Sequence, residues 1–361
     1  MLDVTVEPCS TSTLESVGGG EHRLVGRRSG DTNAASAPIL PLAGAAAHSL
    51  SAAGTDNRLE PLMAAIISLG IAVHDLVFAI PEIPTRPRKV TATRFTAYGG
   101  GMAATAAVAA ARLGGHAAYW GRLGEDAAGD AMVAAMRDHG VDTTAIARAP
   151  GTRTAVSAVL VSPEGERLLA VYPGKLDDDA RWLPLERVAT VQAVMVDFRW
   201  LEGARLLLAT ARERGLPRVL DGDVGHPGAL TALLPLVDHA VFSELGLAEL
   251  TGESEPATGL RAVAATTTGI VAVTLGNQGS MFLIDGSLHA VAPFAVTARN
   301  TNGAGDVFHG AYTLALAEGQ HPLGAARFAS AAAALMCEAG ESWDGTPRRP
   351  AVERLLTRSG Q

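Results

Sequence analysis

The stretch Asn300-Thr301-Asn302-Gly303-Ala304-Gly305-Asp306 runs directly into Val307-Phe308-His309-Gly310-Ala311-Tyr312. Upstream, Leu288 to Val296 (LHAVAPFAV) is mostly apolar and β-prone, which predicts a strand or a strand pair. Downstream, Val307 to Leu316 has helical spacing with a stop near Gly319. The small residues therefore fall where a loop becomes a helix. Glycines there let a ligand approach the backbone without a Cβ in the way. The first N–H groups of a helix lack internal partners, and its dipole favours negative charge. Gly303, Ala304 and Gly305 thus read as an anion cradle. Asp306 in that setting has two readings: a helix N-cap, or a base that accepts a proton from a hydroxyl attacking a phosphate held beside it.

The whole heptad resembles the D/N-T-x-G-A-G-D signature of the ribokinase-like (PfkB) sugar kinases. That resemblance implies an anion hole made by the Gly303, Ala304 and Gly305 amides, with Asp306 as catalytic base. It implies ATP as donor and Mg2+ as companion, and it leaves room for a monovalent cation such as K+. The fold it implies is a three-layer α/β/α domain with a mostly parallel central sheet and a small β-sheet lid. The lid would cover the sugar and often makes a homodimer contact.

Length and composition are compatible. The 361 residues have room for one large α/β domain plus a small addition. The net charge is −8 with no basic run, which argues against nucleic acid as the main partner. Two cysteines, Cys9 and Cys337, make no disulfide framework, and a reducing cytoplasmic setting fits. No 18-residue apolar run suggests a membrane span; Met102 to Ala111 is apolar but short and ends at Arg112. Residues 1–62 are rich in Ser, Thr, Gly and Ala without a sustained period, and read as a disordered extension. Within them, Arg27-Arg28 ahead of a proline-broken apolar run at 37–47 loosely resembles an export signal. A start at Met63 is the competing reading.

The expected kinase domain spans 63–350, with lid strands from about 73–98 and 153–172, and 351–361 as a C-terminal tail. Ala64 to Gly70 predicts a buried strand. Asp75 follows at the distance where ribokinase-like proteins carry a sugar-binding Asp, and a carboxylate accepts two hydroxyls at once. Gly99-Gly100-Gly101 leads into an alanine-rich helix ending Ala111-Arg112-Leu113-Gly114. This resembles the family's G-G-x-x-x-N…A-R-L-G element. Gly100 and Gly101 take the glycine positions, and Thr105 stands where Asn is usual, so the sugar pocket departs from that of ribose or fructose. Gly99-x-Gly101-x-x-Ala104 also satisfies a dinucleotide fingerprint with Glu125 downstream, but it does not follow the first strand.

Further strands are expected at 117–123, at the hairpin 155–161 and 167–171, and at 191–196, 219–221 and 240–242, with Val141-Asp142 leading as a connection to Thr152. Asp197-Phe198-Arg199-Trp200 ends one of these strands, and Arg199 is a candidate grip on an anionic substrate group. Asp221 and Asp223 end the next, near metal or substrate or as caps. Ser243-Glu244-Leu245-Gly246 lies where the family shows N-x-x-E, with Ser for Asn and Gly for Glu. Glu244 is the neighbouring candidate toward the metal. Thr274-Leu275-Gly276-Asn277-Gln278-Gly279 resembles the T-L-G-x-x-G turn at the nucleotide, which implies roles for Thr274, Gly276 and Gly279. His309 reads as helix packing at the site rim. The stretches Gly99-Gly100-Gly101-Met102-Ala103-Ala104-Thr105, Asp197-Phe198-Arg199-Trp200, Ser243-Glu244-Leu245-Gly246-Leu247 and Gly305-Asp306-Val307-Phe308-His309-Gly310 look most like the branch containing 6-deoxy-6-sulfofructose kinases. Fructokinase, ribokinase and sugar-acid kinase are alternatives within the family. A non-catalytic sugar- or nucleotide-binding relative and a dinucleotide oxidoreductase are alternatives outside it.

Overall fold

The structure is a computed structural model and describes residues 63–340 and 342–360. The expected extension 1–62, with Arg27-Arg28 and Cys9, lies outside the described residues. The strands are β1 (Ala65–Gly70), β2 (Val73–Ala79), β3 (Arg94–Gly100), β4 (His116–Gly124), β5 (Asp142–Ala149), β6 (Ala155–Val161) and β7 (Arg167–Tyr172). They continue as β8 (Ala193–Asp197), β9 (Arg218–Gly222), β10 (His239–Ser243), β11 (Ile270–Thr274), β12 (Ser280–Ile284) and β13 (Ser287–Val291). The helices are α1 (Met102–Arg112), α2 (Ala127–Asp138), α3 (Leu201–Glu213), α4 (Pro227–Leu233) and α5 (Glu244–Thr251). After them come α6 (Pro256–Ala264), α7 (Ala304–Ala317), α8 (Pro322–Ala339), α9 (Ser342–Gly345) and α10 (Arg349–Arg358).

One sheet runs β13-β12-β11-β10-β9-β8-β1-β4-β5. From β11 to β5 every pairing is parallel; β12 and β13 add an antiparallel edge. Parallel strands covered on both faces read as continuous apolar runs, and β1 shows it: Ile66 belongs to one buried cluster, Ile67 and Leu69 to the other. The first cluster packs α1, α7 and α8 on one face, and the second packs α3 and residues of α4–α6 on the opposite face. The expected three layers are present.

Alanine is frequent in α1 because the helix is enclosed. Met102 to Ala110 are all buried. Gly310 of α7 lets the two helices meet: a Cβ there would lie 2.2 Å from the Ala106 carbonyl oxygen.

The second sheet has the order β3-β2-β6-β7. Its strands overlap the segments 73–98 and 153–172, with β3 running on to Gly100. Three expectations change. Asp142–Ala149 is an edge strand of the main sheet rather than a connection. The β-prone stretch before the heptad forms strand only to Val291, not to Val296. The segment read as a tail from 351 lies in α10, which packs on α8 with Val352 buried.

Candidate active site

Open α/β sheets place ligands beyond the carboxyl ends of their strands. Here those ends deliver Ile71 after β1, Asp197 at the end of β8, Asp221 and Asp223 from β9, Ser243 from β10 and Thr274 from β11. Asp197 ties the ends together. Its Oδ2 accepts the Ile71 N–H at 2.7 Å and the Ala103 N–H at 3.3 Å, and its Oδ1 accepts the Arg199 N–H at 2.8 Å. Gly70 is glycine because a Cβ would sit 2.0 Å from the Asp197 carboxylate. Burial pushes the Asp197 pKa up, and the three N–H bonds and Arg199 oppose that shift.

Asp306 is not the N-cap of α7. Gly303 holds that position in the left-handed region at φ 79°, and Asp306 is the third helical residue. The loop before it is pinned: Arg299 and Asn300 N–H groups donate to the Cys337 carbonyl, and the Asn302 N–H donates to Asn300 Oδ1. Arg167 of β7 in the small sheet donates to the same Asn300 oxygen. The first full helical turn closes from the Val307 N–H onto Gly303 O at 2.9 Å, while the Ala304 N–H leans on Thr301 O at 3.3 Å.

Two cavities meet at this helix start. The first, of about 740 Å³, is lined by Asp75, Gly100, Gly101, Thr105, Arg199 and Asp306, among others. The second, of about 600 Å³, is lined by Gly276, Gly279, Ala304, Phe294, Phe308 and Cys337, among others. Gly305, Ser243 and Thr274 line both. An added Cβ at Gly305 would meet nothing within 4 Å, so its backbone faces open space.

Asp75 is buried, and its Oδ1 accepts the Ser157 hydroxyl from β6. Burial raises its pKa, against the lowering effect of that bond. Gly100 leaves room for its other oxygen; a Cβ there would lie 2.3 Å from Oδ2. Gly101 has φ 92°, and a Cβ would strike the Ile71 carbonyl and Ala72. This close crossing of α1 on the β1–β2 loop is a different job from the pyrophosphate approach of a dinucleotide fingerprint. The preceding strand is lid strand β3, not the first strand of a βαβ unit.

Thr105 lines the first cavity, but its hydroxyl oxygen already accepts the Trp343 indole N–H at 2.9 Å. Arg199 stands exposed at the cavity wall, donating to Val224 O at 3.0 Å, with its guanidinium 4.6 Å from the Phe198 ring centre. Thr274 donates to Phe242 O at 3.3 Å. Glu244 is the exception among the expected site residues. It is exposed in the first turn of α5 and lines neither cavity. Gly246 leaves no room for a side chain, because a Cβ would lie 2.6 Å from Gly222 O. The carboxylates beside the junction are instead Asp221 and Asp223 at the end of β9, and Asp223 accepts the Ser243 hydroxyl at 2.7 Å.

Trp343 was not singled out in the sequence. It closes the first cavity from α9 and stands against Gly99, where a Cβ would lie 2.2 Å from its ring. His309 lines the first cavity and is buried. It is 2 % exposed, between α7 and the end of the sheet.

The sequence pattern described as pfkB family carbohydrate kinase matches residues 63–348. The chain belongs to the pfkB family of carbohydrate kinases. Enzymes of that class are phosphotransferases with an alcohol group as acceptor. Among similar proteins, a ribokinase of Bacillus subtilis is 28 % identical over 297 residues, covering 81 % of this chain and 99 % of the relative. A fructokinase-1 of Zea mays is 30 % identical over 268 residues, covering 68 % and 81 %. A solved Agrobacterium tumefaciens structure at 34 % identity gives a TM-score of 0.79 and covers 83 % of this chain and 99 % of that one. Arabidopsis thaliana ribokinase, solved with ribose and ATP, gives 0.70 at 25 % identity, covering 81 % and 98 %.

Proposed function

We propose that this kinase transfers the γ-phosphoryl group of ATP to a hydroxyl of a ketose-type sugar, and that the sugar carries an anionic group, 6-deoxy-6-sulfofructose being the leading candidate. The observation that carries the transfer reading is the position of Asp306. It sits at a helix start whose Gly305 lines both cavities, one with hydroxyl-binding groups and one largely apolar. In this reading the sugar lies in the first cavity on Asp75, Gly100, Gly101 and Thr105, and the nucleotide in the second along Thr274, Gly276 and Gly279. Asp306 takes the hydroxyl proton. The Gly303, Ala304 and Gly305 backbone holds the charge growing on the transferred group; one such donor is worth about 3 kcal/mol. Closure of the lid excludes water as a competing acceptor.

Mg2+, bound with the nucleotide, would neutralise charge on the phosphates. The carboxylates that line the first cavity beside Asp306 and would stand toward such a cation are Asp221 and Asp223. A monovalent cation such as K+ belongs to the same reading, as do a homodimer through the lid and a cytoplasmic setting. Among the described residues, no helix is long and apolar enough to cross a membrane.

Arg199 supports the anionic sugar, because its planar fork matches a sulfonate or carboxylate. The names of the relatives favour neutral ribose or fructose as the second reading. Coupled ADP release over neutral, phosphorylated and sulfonated ketoses separates the two. Asp306→Asn is expected to keep nucleotide affinity and to lose about 10²–10⁴ in kcat. Near-normal turnover of that variant would sink the mechanism.

A further inference from the structure

A third cavity, of about 840 Å³, adjoins the first and shares Gly99, Asn302 and Trp343 with it. The small sheet bounds it on one side, and the strand register shows how. Arg94 on β3 is opposite Ala79 on β2, Ala79 is opposite Val161 on β6, and Val161 is opposite Arg167 on β7. Ala79 is four residues along β2 from Asp75, so this row leaves the same face of the sheet as Asp75. One end of that face, at Asp75, lines the first cavity; the other end, from Arg94 to Arg167, lines the third. Between them Val77 and Val159 give the third cavity an apolar strip, and Tyr98 and Trp343 add aromatic surface.

The lining is basic, in a chain of net charge −8. Arg94 and Arg167 come from the small sheet, and Arg112, Arg299 and Arg348 from the main body. Among the described residues, Asp138 and Asp344 are the carboxylates that line it with them. Two of the arginines have structural work: Arg112 donates to the Thr346 and Asp344 carbonyls at 2.7 and 2.8 Å, and Arg167 donates to Asn300. Arg94, Arg299 and Arg348 are exposed and, among the described residues, make no ion pair. Burial and then the charge of Arg348 pull the Arg112 pKa down, against Asp344, so like charges crowd here. They repel across the cavity, and an anion between them turns that repulsion into attraction. We propose that the third cavity is a binding site for a small organic phosphate with two or more anionic groups, held between the arginines of the small sheet and those of the main body. The guanidinium fork matches phosphate oxygens two at a time. Arg94 and Arg167 stand on the two edge strands, three strand spacings or about 14 Å apart at the backbone, so one anionic group does not engage both. The volume is that of sites that enclose such ligands.

The test is calorimetric titration of the full chain with 2,3-bisphosphoglycerate, a small organic phosphate without a sugar ring. The expected result is saturable binding of one equivalent per chain, about tenfold or more tighter than inorganic phosphate. Arg94→Gln combined with Arg348→Gln is expected to weaken it by about tenfold or more. Asp75→Asn, in the first cavity, is expected to leave it unchanged. No saturable binding, equal binding of inorganic phosphate, or binding that survives the double variant would each overturn the proposal. Loss of binding in Asp75→Asn would place the probe in the first cavity and overturn it as well. Both arginines are exposed, so the double variant should keep the parent Tm to within about one degree. Should it unfold, Arg94→Gln alone serves, with binding weakened by about threefold or more.

The second measurement needs no variant. A ligand held by both sets of arginines ties the small sheet to the main body, so amides of β3 and β7 should exchange hydrogen more slowly with the probe bound. Binding without slower exchange there would overturn the bridging arrangement. A second copy of the chain seated over the cavity would appear as a dimer that takes up no probe, and that result overturns the proposal too. None of these readouts involves phosphoryl transfer. Failure of the Asp306 assignment would appear instead as an active Asp306→Asn, so the two ideas fall separately.

Discussion

In the proposed function, Arg199 sets specificity without touching the chemistry. Its backbone is fixed by Asp197, its ring-facing side by Phe198, and one N–H by the Val224 carbonyl. The residue lines the first cavity. A bidentate bond to a sulfonate is charge-assisted and typically contributes about 1.5–3 kcal/mol, or roughly tenfold or more in binding. Arg199→Gln is therefore expected to lower kcat/KM for a sulfonated ketose at least tenfold relative to fructose. Equal loss on both sugars, or none on either, would remove the basis for the anionic substrate. The site residues differ in how much the sequence shows of them. Asp306 and the glycines sit in one contiguous heptad. Ser157 and Trp343 lie 82 and 238 residues from their partners, Asp75 and Thr105, and nothing local marks them. The burial of His309 follows from the contact with Val241, 68 residues away.

At the scale of elements, glycines of one helix do opposite jobs, and this gives a paired test. Gly310 lies where α7 crosses α1, with the Ala106 backbone in the way of any Cβ. A carbonyl cannot rotate aside as a side-chain tip can, so Gly310→Ala must separate the helices. The expected cost is roughly 1–3 kcal/mol, seen as a fall in Tm of several degrees. Gly305 has open space at the same position. Gly305→Ala is expected to leave Tm within about one degree of the parent and to reduce kcat by about tenfold or more, because the methyl enters the cradle. The reverse pattern, a stable Gly310→Ala and a destabilised Gly305→Ala, would contradict the packing described. The strongest elements were legible because buried parallel strands are apolar on both faces. β5 was not: Asp142 to Ala149 (DTTAIARA) carries Asp, Thr, Ala and Arg at a sheet edge, where burial does not demand a run of Val or Ile. The helix Arg349–Arg358 was missed for a related reason. Only Val352 on it is buried, so its sequence reads as polar tail.

At the scale of the whole molecule, the small sheet has two faces, and the strand register separates them. Asp75 pairs with Tyr98 and Ser157, Ser157 pairs with Val171, and Asp75 and Val171 of this row line the first cavity. Three residues along β2, Phe78 is opposite Phe95 on β3 and Leu160 on β6, and Leu160 is opposite Leu168 on β7. Side chains alternate along a strand, so this apolar row lies on the far face of the sheet. Phe95 is 56 % exposed and Leu168 48 %. Four apolar residues in line on a sheet face match a surface that another protein covers better than one that water covers; the opposite face carries Asp75 and Ser157 together with exposed Leu169 and Val171. A second copy is the simplest occupant, since a face met by its own twin closes as a two-fold dimer. Two charges at the centre of such an interface would be buried against apolar side chains, at a cost far above the contacts they replace. Phe95→Glu combined with Leu168→Glu is therefore expected to turn a dimer into a monomer in size-exclusion chromatography with light scattering. Because the row lies opposite Asp75, the monomer should keep its fold and bind nucleotide. A parent chain that is monomeric at tens of micromolar would refute the dimer directly, and an unchanged dimer in the double variant would move the interface off the lid.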